Sequence, residues 1–433
     1  MILSYFKRRP FTGLFLLPIV FCSFLNGGGY YPTISSIEFY GNTKTMDYII
    51  AREIQHPLDT PLDSALVQED RNRLDNLGIF SEVTWRVVPL EDKTGILSFI
   101  ITESIQKTPP GALPAYDEKT GWSLTGGWII QNFRGRNQIV QLGGSIGGKY
   151  TYGINFADPW MFGNHVSLSL GIGRSLFEHN FLDRDLDVRS FQVNLGRWFG
   201  ESVKSSLGFE LEEKSFSNET ITDSYFYFSP QISIKYDTRD VYWNPGKGIL
   251  VAHFFYYMNG IEPSDFSFMI WGQSYSLFLK LNKSEKKLVL ALNGAINRKW
   301  GEKEEVWLNY FGDSYTVRGW ALPNQKLYNS RDESFRFGHE SVYATIELRK
   351  DIIPKYATKY GTEFGLSLVA FSDIGMIAED WIDLQNMKPM VGCGFGIRVP
   401  IPMIDAIRID LGWGYRDGEW NAPAIHWGIQ QKF

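Results

Sequence analysis

Alternation of apolar with small or polar residues recurs along most of this 433-residue chain, from Gly121 to the last position. A spacing of two is the period of a β-strand whose two faces meet different surroundings. The chain is therefore predicted to be mainly β, although a soluble β-sandwich would alternate in the same way. The pattern is clearest in four segments, 166–173, 191–196, 207–211 and 364–368. The last segment places these residues on one side: Ile425, Trp427, Ile429 and Phe433.

A secretory signal is predicted at residues 1–28, because the basic run Lys7-Arg8-Arg9 precedes an apolar stretch and small glycine residues. An uncleaved N-terminal anchor is the alternative, and Pro18 and the shortness of the apolar core argue against it. No later segment has about 18 uncharged apolar residues, so no membrane helix is predicted. Cys393 is the only cysteine after the signal, which excludes an intramolecular disulfide and a cysteine-cluster metal site.

Strands that follow a secretory signal can cross a membrane only as a closed barrel, since every backbone polar group must pair there. Residues 111–433 hold 35 of the 42 glycines and 13 of the 14 tryptophans. This composition is typical of barrels with aromatic girdles. At about 9–11 residues per membrane strand, the 323 positions of this region fit roughly fourteen to eighteen strands with their turns.

A separate α+β domain is predicted at residues 33–104. Its second helix is capped by Asp63 or Ser64 and ended by Gly78. The remaining predicted elements are a strand at 34–40, a helix at 46–54 and strands at 80–88 and 96–102. Pro109, Pro110 and Pro114 then exclude a helix or a central strand. Residues 105–120 are therefore predicted as a linker, and 121–433 as the barrel.

A polar connection of about forty residues, well beyond ordinary hairpin length, separates the predicted strands 288–297 and 342–349. It contains Val317-Arg318-Gly319-Trp320. Loops of this length are usually functional or disordered. An arginine inside a barrel lumen is desolvated and needs carboxylates, and the next strands offer Glu347 and Asp373. An exposed loop charge is the alternative interpretation of Arg318.

Several motifs resemble known families. The stretch Leu74-Asp75-Asn76-Leu77-Gly78-Ile79-Phe80-Ser81-Glu82-Val83 resembles the L-x-x-L-G-x-F-x-x-V core of POTRA domains, although any small α+β module buries such residues. Val317-Arg318-Gly319-Trp320 resembles the VRGF/Y motif of the BamA/TamA superfamily of outer-membrane assembly and translocation barrels. It departs from that pattern in Phe311-Gly312-Asp313, where Gly-Gly is more usual, and in Trp320. Further stretches resemble the same family in the expected order: 132–137, 156–160, 236–248 and 392–410.

This resemblance implies a sixteen-stranded transmembrane antiparallel β-barrel in the outer membrane, preceded by one periplasmic POTRA domain. It implies insertion or translocation of polypeptides, with the POTRA domain capturing clients by β-augmentation. The expected partners are outer-membrane lipids, unfolded or extended polypeptide clients, and periplasmic chaperones or accessory lipoproteins. A passive porin-like or surface-exposed structural barrel that has lost insertase activity is the alternative, because fold does not settle function.

The resemblance also assigns roles to single positions. Arg318 is expected to hold the loop in the lumen by pairing with Asp373, with Glu347 as a second partner. Phe433 is expected to form part of the assembly signal. Gly126 and Gly127, in the predicted first strand, indicate a weak seam with the last strand or, alternatively, a bend or a tight packing site.

Catalytic and nucleic-acid functions are not expected. The net charge of −5 gives no signature of polyanion binding. The six histidines are scattered, without metalloprotease or triad spacing, and no phosphate-binding Gly-Lys-Ser/Thr motif occurs. We therefore expect no enzymatic activity, cofactor, metal or nucleic-acid partner.

Overall fold

The computed structural model describes residues 31–108, 111–163, 165–330, 333–358, 360–402 and 405–433. The predicted secretory signal lies outside these ranges. Within them, no helix is long and apolar enough to cross a membrane.

The N-terminal domain is a four-stranded sheet with two helices. Its elements are β1 (Thr33–Tyr40), α1 (Asp47–Ala51), β2 (Thr60–Pro61), α2 (Ser64–Asn76), β3 (Phe80–Pro89) and β4 (Thr94–Glu103). The strand order is β2-β1-β4-β3, with β1 parallel to β4. Asp63 caps α2 by accepting hydrogen bonds from the N–H groups of Ala65 and Leu66, and Gly78 follows the helix at φ +70°. Ile34, Val67 and Phe99 are among the residues of its core.

A second, much larger antiparallel sheet takes up most of the rest of the chain. Its first part consists of β5 (Gly111–Asp117), β6 (Gly121–Phe133), β7 (Gln138–Gly147), β8 (Lys149–Asp158), β9 (Val166–Glu178), β10 (Asp185–Phe199), β11 (Val203–Ser217), β12 (Thr222–Asp237), β13 (Gly248–Gly260), β14 (Ser267–Lys280) and β15 (Leu288–Gly301). The long connection that follows holds β16 (Asn309–Tyr310), α3 (Gln325–Ser330) and β17 (Phe337–Gly338), with short 3-10 turns at Glu305–Trp307 and Ser334–Arg336.

The last part of this sheet consists of β18 (Glu340–Ala357), β19 (Glu363–Ala378), β20 (Met390–Ile401), β21 (Asp405–Arg416), β22 (Glu419–Trp420) and β23 (Ala424–Ile429), with a 3-10 turn at Asp383–Asn386. Because β22 and β23 both pair with β21, they form one interrupted strand. The sheet therefore has sixteen strand positions, as predicted. The strand order places β23 beside β5, and we call this boundary the seam.

The sheet is apolar on its exposed outer face and polar on its buried inner face, the reverse of what a soluble protein shows. On β18 the apolar Ile346 and Leu348 are exposed, whereas Glu347 and Arg349 between and beside them are almost fully buried. Such alternation is expected when the outer face contacts lipid and the inner face lines a filled, polar lumen. We call the end of the barrel that contacts the N-terminal domain the near rim, and the opposite end the far rim.

The predicted linker is wrong in part. Gly111–Asp117 forms β5, which pairs with β6, and Pro114 lies opposite Leu124. Before it, the N–H of Thr108 donates to the carbonyl of Ile129, so pairing with β6 begins ahead of β5. Proline is tolerated here because β5 is the first strand of the barrel, where a missing ladder hydrogen bond costs least. The barrel therefore begins upstream of Gly121.

The predicted position of the seam glycines is also wrong. Gly126 and Gly127 lie in β6, the second strand, and pair with Ala112 and Gly111 of β5. A Cβ atom added at Gly127 would meet the carbonyl oxygen of Leu142 at 2.8 Å. The alternative of a tight packing site fits this position, since β6 and β7 approach too closely there for a side chain.

Candidate functional site

The long connection between β15 and β18 is a folded cap and not an open loop. Phe181 and Phe216 from the barrel pack with Tyr328 and Phe337 of the connection in one apolar cluster. A second cluster joins the connection to β19 and β20, and its buried members are Phe311, Val317, Trp320, Ile377 and Met390. The apolar residues of the connection thus hold it in the lumen that the sheet surrounds.

The turn before the motif explains one departure from the family pattern. Gly312 has φ +110°, and Asp313 takes the place of a second glycine. The Asp313 carboxylate accepts hydrogen bonds from the N–H groups of Tyr315 (2.9 Å) and Thr316 (2.8 Å) and from the Thr316 hydroxyl (2.9 Å). An aspartate whose carboxylate accepts from the backbone N–H groups two and three residues later stabilises a tight turn. This position therefore does not need glycine.

Arg318 is fully buried and bonds three carboxylates. Its Nε and Nη2 donate to Oδ2 and Oδ1 of Asp373 at 2.8 and 3.0 Å, a bidentate pair, and its backbone N–H donates to Oδ2 at 3.0 Å. Its Nη1 donates to Oε1 of Glu347 at 2.7 Å and to Oδ2 of Asp410 at 3.0 Å. The guanidinium also lies 3.7 Å from the ring centre of Phe371. The structure therefore brings Arg318 together with both carboxylates named from the sequence.

Glycine permits the close approach of this motif to the barrel wall. Gly319 has φ +88°, and a Cβ there would lie 2.5 Å from the carbonyl carbon of Trp413. A Cβ on Gly392 of β20 would lie 1.7 Å from the carbonyl oxygen of Arg318. Trp320 packs beside them, and its indole N–H donates to the carbonyl of Val391 at 2.9 Å. Backbone thus packs against backbone at the motif.

Sequence reasoning missed most of the charged cluster around Arg318. The cluster contains five cations and three carboxylates, all almost completely buried: Arg318, Arg349, Arg398, Arg408, Lys432, Glu347, Asp373 and Asp410. Arg349 bonds Glu347, and Arg398 donates to Asp410 at 2.6 Å. Arg398 and Arg408 face each other across β20 and β21. Alternation alone could have placed the members of the cluster on β18 to β21 in the lumen, but their mutual contacts depend on strand register.

The last residues of the chain turn into the lumen. Ile425, Trp427 and Ile429 are exposed on the outer face as predicted, but Phe433 is not on that side. After Gln430, at φ +62°, the chain leaves the strand direction, and the Phe433 ring stacks on Phe278 with 6.0 Å between centres. Lys432 reaches Asp373, with 3.0 Å from Nζ to Oδ2. The alternation therefore ends at β23, and the assembly-signal role of Phe433 stays a prediction.

The motif also reaches both sides of the seam. The N–H of Gly319 donates to Nε2 of His426 on β23 at 2.9 Å. Because Nε2 is the acceptor, Nδ1 carries the imidazole proton, and it lies 2.6 Å from the carboxylate of Glu118, in the turn after β5. Tyr116 of β5 meets Trp427 of β23 edge to face at 6.1 Å. One imidazole therefore links the connection to the first and the last strands.

The N-terminal domain contacts the near rim at several turns. Asn132 of β6 donates to the hydroxyl of Thr45 at 2.8 Å, and the carbonyl of Gly135 accepts from Met46 at 3.0 Å. Further contacts join the pairs Arg73 and Glu201, Asn76 and Tyr242, Asp75 and Lys355, and Ser104 and Glu363. These contacts show that the domain lies directly against the rim.

Glu103 of β4 supports this docking surface. Its carboxylate accepts hydrogen bonds from the hydroxyls of Thr43 and Thr45 and from the N–H groups of Lys44 and Thr45. Burial alone would raise the pKa of Glu103, but these hydrogen bonds outweigh it and lower the pKa below its ordinary value. The ionised carboxylate thus holds Thr45 in place for Asn132.

One segment has the Gly-x-Ser-x-Gly spacing known from hydrolases, where it forms a sharp turn from strand to helix. It is 143–147, and Ser145 lies within β7 with its hydroxyl 2.7 Å from that of Thr151 on β8. The segment is part of a regular ladder and does not form that turn.

Comparison with family models gives two matches. The model described as the Omp85 superfamily domain matches residues 132–433, which is more than half of the chain. The POTRA model, described as a surface antigen variable number repeat, matches residues 32–104. The second match agrees with the domain predicted at 33–104.

Comparison with individual proteins finds relatives of low sequence identity. The outer membrane protein assembly factor BamA of Neisseria meningitidis serogroup B is 25% identical over 147 residues, which cover 34% of this chain and 18% of that protein. The crystal structure of BamA from Haemophilus ducreyi lacking POTRA domains 1-3 has a TM-score of 0.55 at 17% identity, covering 92% of this chain and 83% of that one. CdiB from Escherichia coli has a TM-score of 0.57 at 11% identity, covering 95% and 93%. At these identities the two structures show the shared fold alone.

Proposed function

Because this chain belongs to the Omp85 superfamily, as an outer-membrane barrel with one POTRA domain in the periplasm, we propose that it inserts or translocates polypeptides at that membrane. The near rim is then the periplasmic end of the barrel. The role is mechanical, without a catalytic step. Its clients are unfolded or extended polypeptides, and periplasmic chaperones or accessory lipoproteins deliver them.

The observation that carries this proposal is the contact of one buried motif with the lumen and the seam. Arg318 fixes the connection to carboxylates on β18, β19 and β21, while the neighbouring Gly319 bonds His426 beside the seam. A rearrangement of the connection would therefore change the first and last strands at the same time. A passive barrel has no need of such a linkage, and its expected open lumen is occupied here by the connection and the charged cluster.

We further propose that the POTRA domain captures clients along the outer edge of β3. The described ladders pair β3 with β4 on one side only. The carbonyl of Val83 accepts from Arg71 of α2 at 2.9 Å, so it points away from β4. Because alternate residues of an antiparallel edge strand point their N–H and C=O groups the same way, Trp85 and Val87 offer free backbone groups to an added strand.

The matched substitutions Val87→Pro and Val87→Ala test this edge. Both remove the valine side chain, but only Val87→Pro also removes the outward N–H. We expect Val87→Pro to lower the rate at which the reconstituted protein inserts an unfolded barrel client into liposomes, and Val87→Ala to leave that rate close to the wild-type value. Equal rates for the two variants would exclude capture along β3, while no insertion by the wild-type protein would contradict the proposed function itself.

A further inference from the structure

A cleft of about 780 Å³ lies between the POTRA domain and the outer face of the barrel at the periplasmic rim. Helix α1 contributes one wall, with Tyr48, Ile49 and Arg52. The ends of β6, β7 and β8, the turn between β6 and β7 and the turn after β8 contribute the rest: Phe133, Arg134, Arg136, Gln138, Phe156, Asp158, Trp160, Met161 and Gly163.

The barrel wall of this cleft belongs to the lipid-facing side of the sheet. On β8, Tyr150, Tyr152 and Ile154 are exposed on the outer face, and Phe156 and Asp158 continue the same face by alternation. Phe133 lies opposite Gln138 in the ladder, and Gln138 bonds Asp158, with 2.6 Å from Nε2 to Oδ2. The polar groups of the cleft therefore lie where lipid headgroups meet the barrel.

The cleft carries a surplus of positive charge. Three arginines and one aspartate line it. Arg134 and Arg136 are exposed, and among the described residues neither has a carboxylate within 4.0 Å. Arg52 pairs with Glu53 at 3.2 Å and lies 4.2 Å from the ring centre of Trp160. An anion with several acceptor oxygens, such as a phosphate, fits three guanidinium groups of this kind.

Two buried atoms in the cleft have no hydrogen-bond partner among the described residues. One is a donor, Nη2 of Arg52, and the other is an acceptor, Oε1 of the buried Gln138. Unpaired buried polar groups cost free energy, so each favours a ligand that completes it. Asp158 lies beside Gln138, and its carboxyl group accepts the hydrogen bond from Nε2 of that side chain. The cleft thus offers a phosphate-binding side and, next to it, acceptors for an N–H donor.

Apolar residues surround this polar cleft. Met161 and Phe162 are exposed at the tip of the turn after β8, and Tyr48 is exposed on the POTRA domain. Trp160, Phe133 and Phe156 line the cleft itself. Aromatic residues beside arginines are the usual composition at the boundary between headgroups and acyl chains.

We propose that this cleft binds the headgroup of one amine-bearing phospholipid of the periplasmic leaflet. The phosphate lies between Arg52, Arg134 and Arg136, and the ammonium donates to Oε1 of Gln138 beside Asp158. The acyl chains extend along the outer face of β6 to β8. Since one wall belongs to the POTRA domain and the other to the barrel, the lipid joins the two domains at the membrane surface.

Binding to the purified full-length protein in detergent tests the proposal, with native mass spectrometry as the readout. The probes are short-chain phosphatidylethanolamine, short-chain phosphatidylcholine and inorganic phosphate. We expect one bound phosphatidylethanolamine. The double substitution Arg134→Ala with Arg136→Ala should weaken it by about tenfold or more, because a hydrogen bond to a charged group is worth at least that factor. Gln138→Leu should reduce the preference for phosphatidylethanolamine over phosphatidylcholine.

The matched control is Arg197→Ala. Arg197 is also an exposed arginine at the periplasmic end of the outer face, next to Phe199, but it lies outside the cleft. Its substitution should leave binding unchanged. Equal loss in this control, or no loss in the double variant, would overturn the proposal. Inorganic phosphate that binds as tightly as the lipid would indicate a free-anion site, and displacement by a peptide with an aromatic C-terminal residue would indicate a client site; either result would overturn lipid binding.

Discussion

Arg318 shows why the lumen contact requires arginine. Its planar group bonds Asp373 with two nitrogens, while Nη1 reaches Glu347 and Asp410, and Phe371 covers one face. A lysine ammonium is a compact charge without this fork and cannot serve three carboxylates in these directions. The backbone N–H of Arg318 adds a bond to Asp373 that every residue except proline would keep at this position.

Substitution of Arg318 should release the connection from the lumen. Arg318→Ala is expected to destabilise the folded barrel by about 3–5 kcal/mol, because three buried carboxylates lose the four hydrogen bonds of the guanidinium, although each keeps a second cation. Arg318→Lys should recover only part of this free energy. The measurements are urea unfolding of the barrel in micelles and protease cleavage within residues 302–339.

Arg239→Ala is the matched control for these variants. Arg239 also makes a bidentate pair, but with the single carboxylate of Asp237, at a periplasmic turn where the two side chains are 15% and 8% exposed. Its loss should cost less than the loss of Arg318, because Arg239 bonds one carboxylate and Arg318 bonds three. If Arg318→Ala and Arg239→Ala lower the free energy of unfolding by similar amounts, the contact of Arg318 with three carboxylates adds no more stability than a single ion pair. The charge swap Arg318→Asp with Asp373→Arg should fail to restore stability, since it would set a guanidinium against Lys432.

One part of the charged site could be predicted from the sequence, and the rest could not. Arg318, Glu347 and Asp373 could be found because alternation places charged residues in the lumen and a motif singles out the arginine. Asp410 and His426 could not, because their contacts depend on how far β21 and β23 are shifted relative to the connection. Lys432 required knowledge that the chain turns inward after Gln430.

At the scale of the secondary-structure elements, the seam between β5 and β23 depends on two polar side chains, His426 and Glu118. His426→Phe should weaken the seam, because it removes both hydrogen bonds of the imidazole, and Glu118→Gln should weaken it less, because an uncharged amide oxygen is a weaker acceptor for Nδ1–H. We expect amide hydrogen exchange in β5 and β23 to become faster by on the order of tenfold in His426→Phe, as two bonds of about 1 kcal/mol are lost.

His253→Phe provides the control for the seam experiment. His253 lies on β13, far along the strand order from the seam, and bonds Gln273. Exchange in β5 and β23 should not change in this variant. If exchange in His426→Phe rose equally in β11 and β12, the effect would be a general loss of stability and the assigned role of the imidazole at the seam would be wrong.

The elements themselves were predictable to different degrees. Long strands such as β9 and β10 follow from alternation, because their lipid-facing residues must be apolar at every second position. The first strand was missed, because Pro114 and two preceding prolines look like a linker when the neighbouring strand is unknown. Residues 111–117 form a strand because they pair with β6, and this contact cannot be read from their own sequence.

At the scale of the whole molecule, two domains were predicted, but their docking was not. Deletion of residues 33–103 should leave a barrel that assembles and migrates faster unheated than heated on gels, since its luminal cluster is intact. Client insertion should fall, because the edge of β3 is gone. Normal insertion by this truncated protein would contradict a role for the POTRA domain in capture.

A slightly longer deletion gives the structural control. Removal of residues 33–106 also takes Gln106, whose side chain bonds Asn132 at 3.1 Å and whose carbonyl accepts from the N–H of Gln131. This protein should unfold at lower urea concentration than the shorter deletion. Equal stability of the two truncated proteins would show that the segment before β5 does not support the barrel.

The order of residues along the chain determines when, during folding, the buried motif can make its contacts. Arg318 precedes all the strands that hold it, and its neighbour Gly319 bonds His426 in the last of them. During folding the motif therefore cannot make these contacts until β18 to β23 have formed. A barrel that lacks its final strand would keep the Arg318 contacts but lose the hydrogen bond from Gly319 to His426, so the full set of contacts requires every strand from β18 to β23. The complete set of contacts at the motif is thus available only when the last strand of the protein is in place.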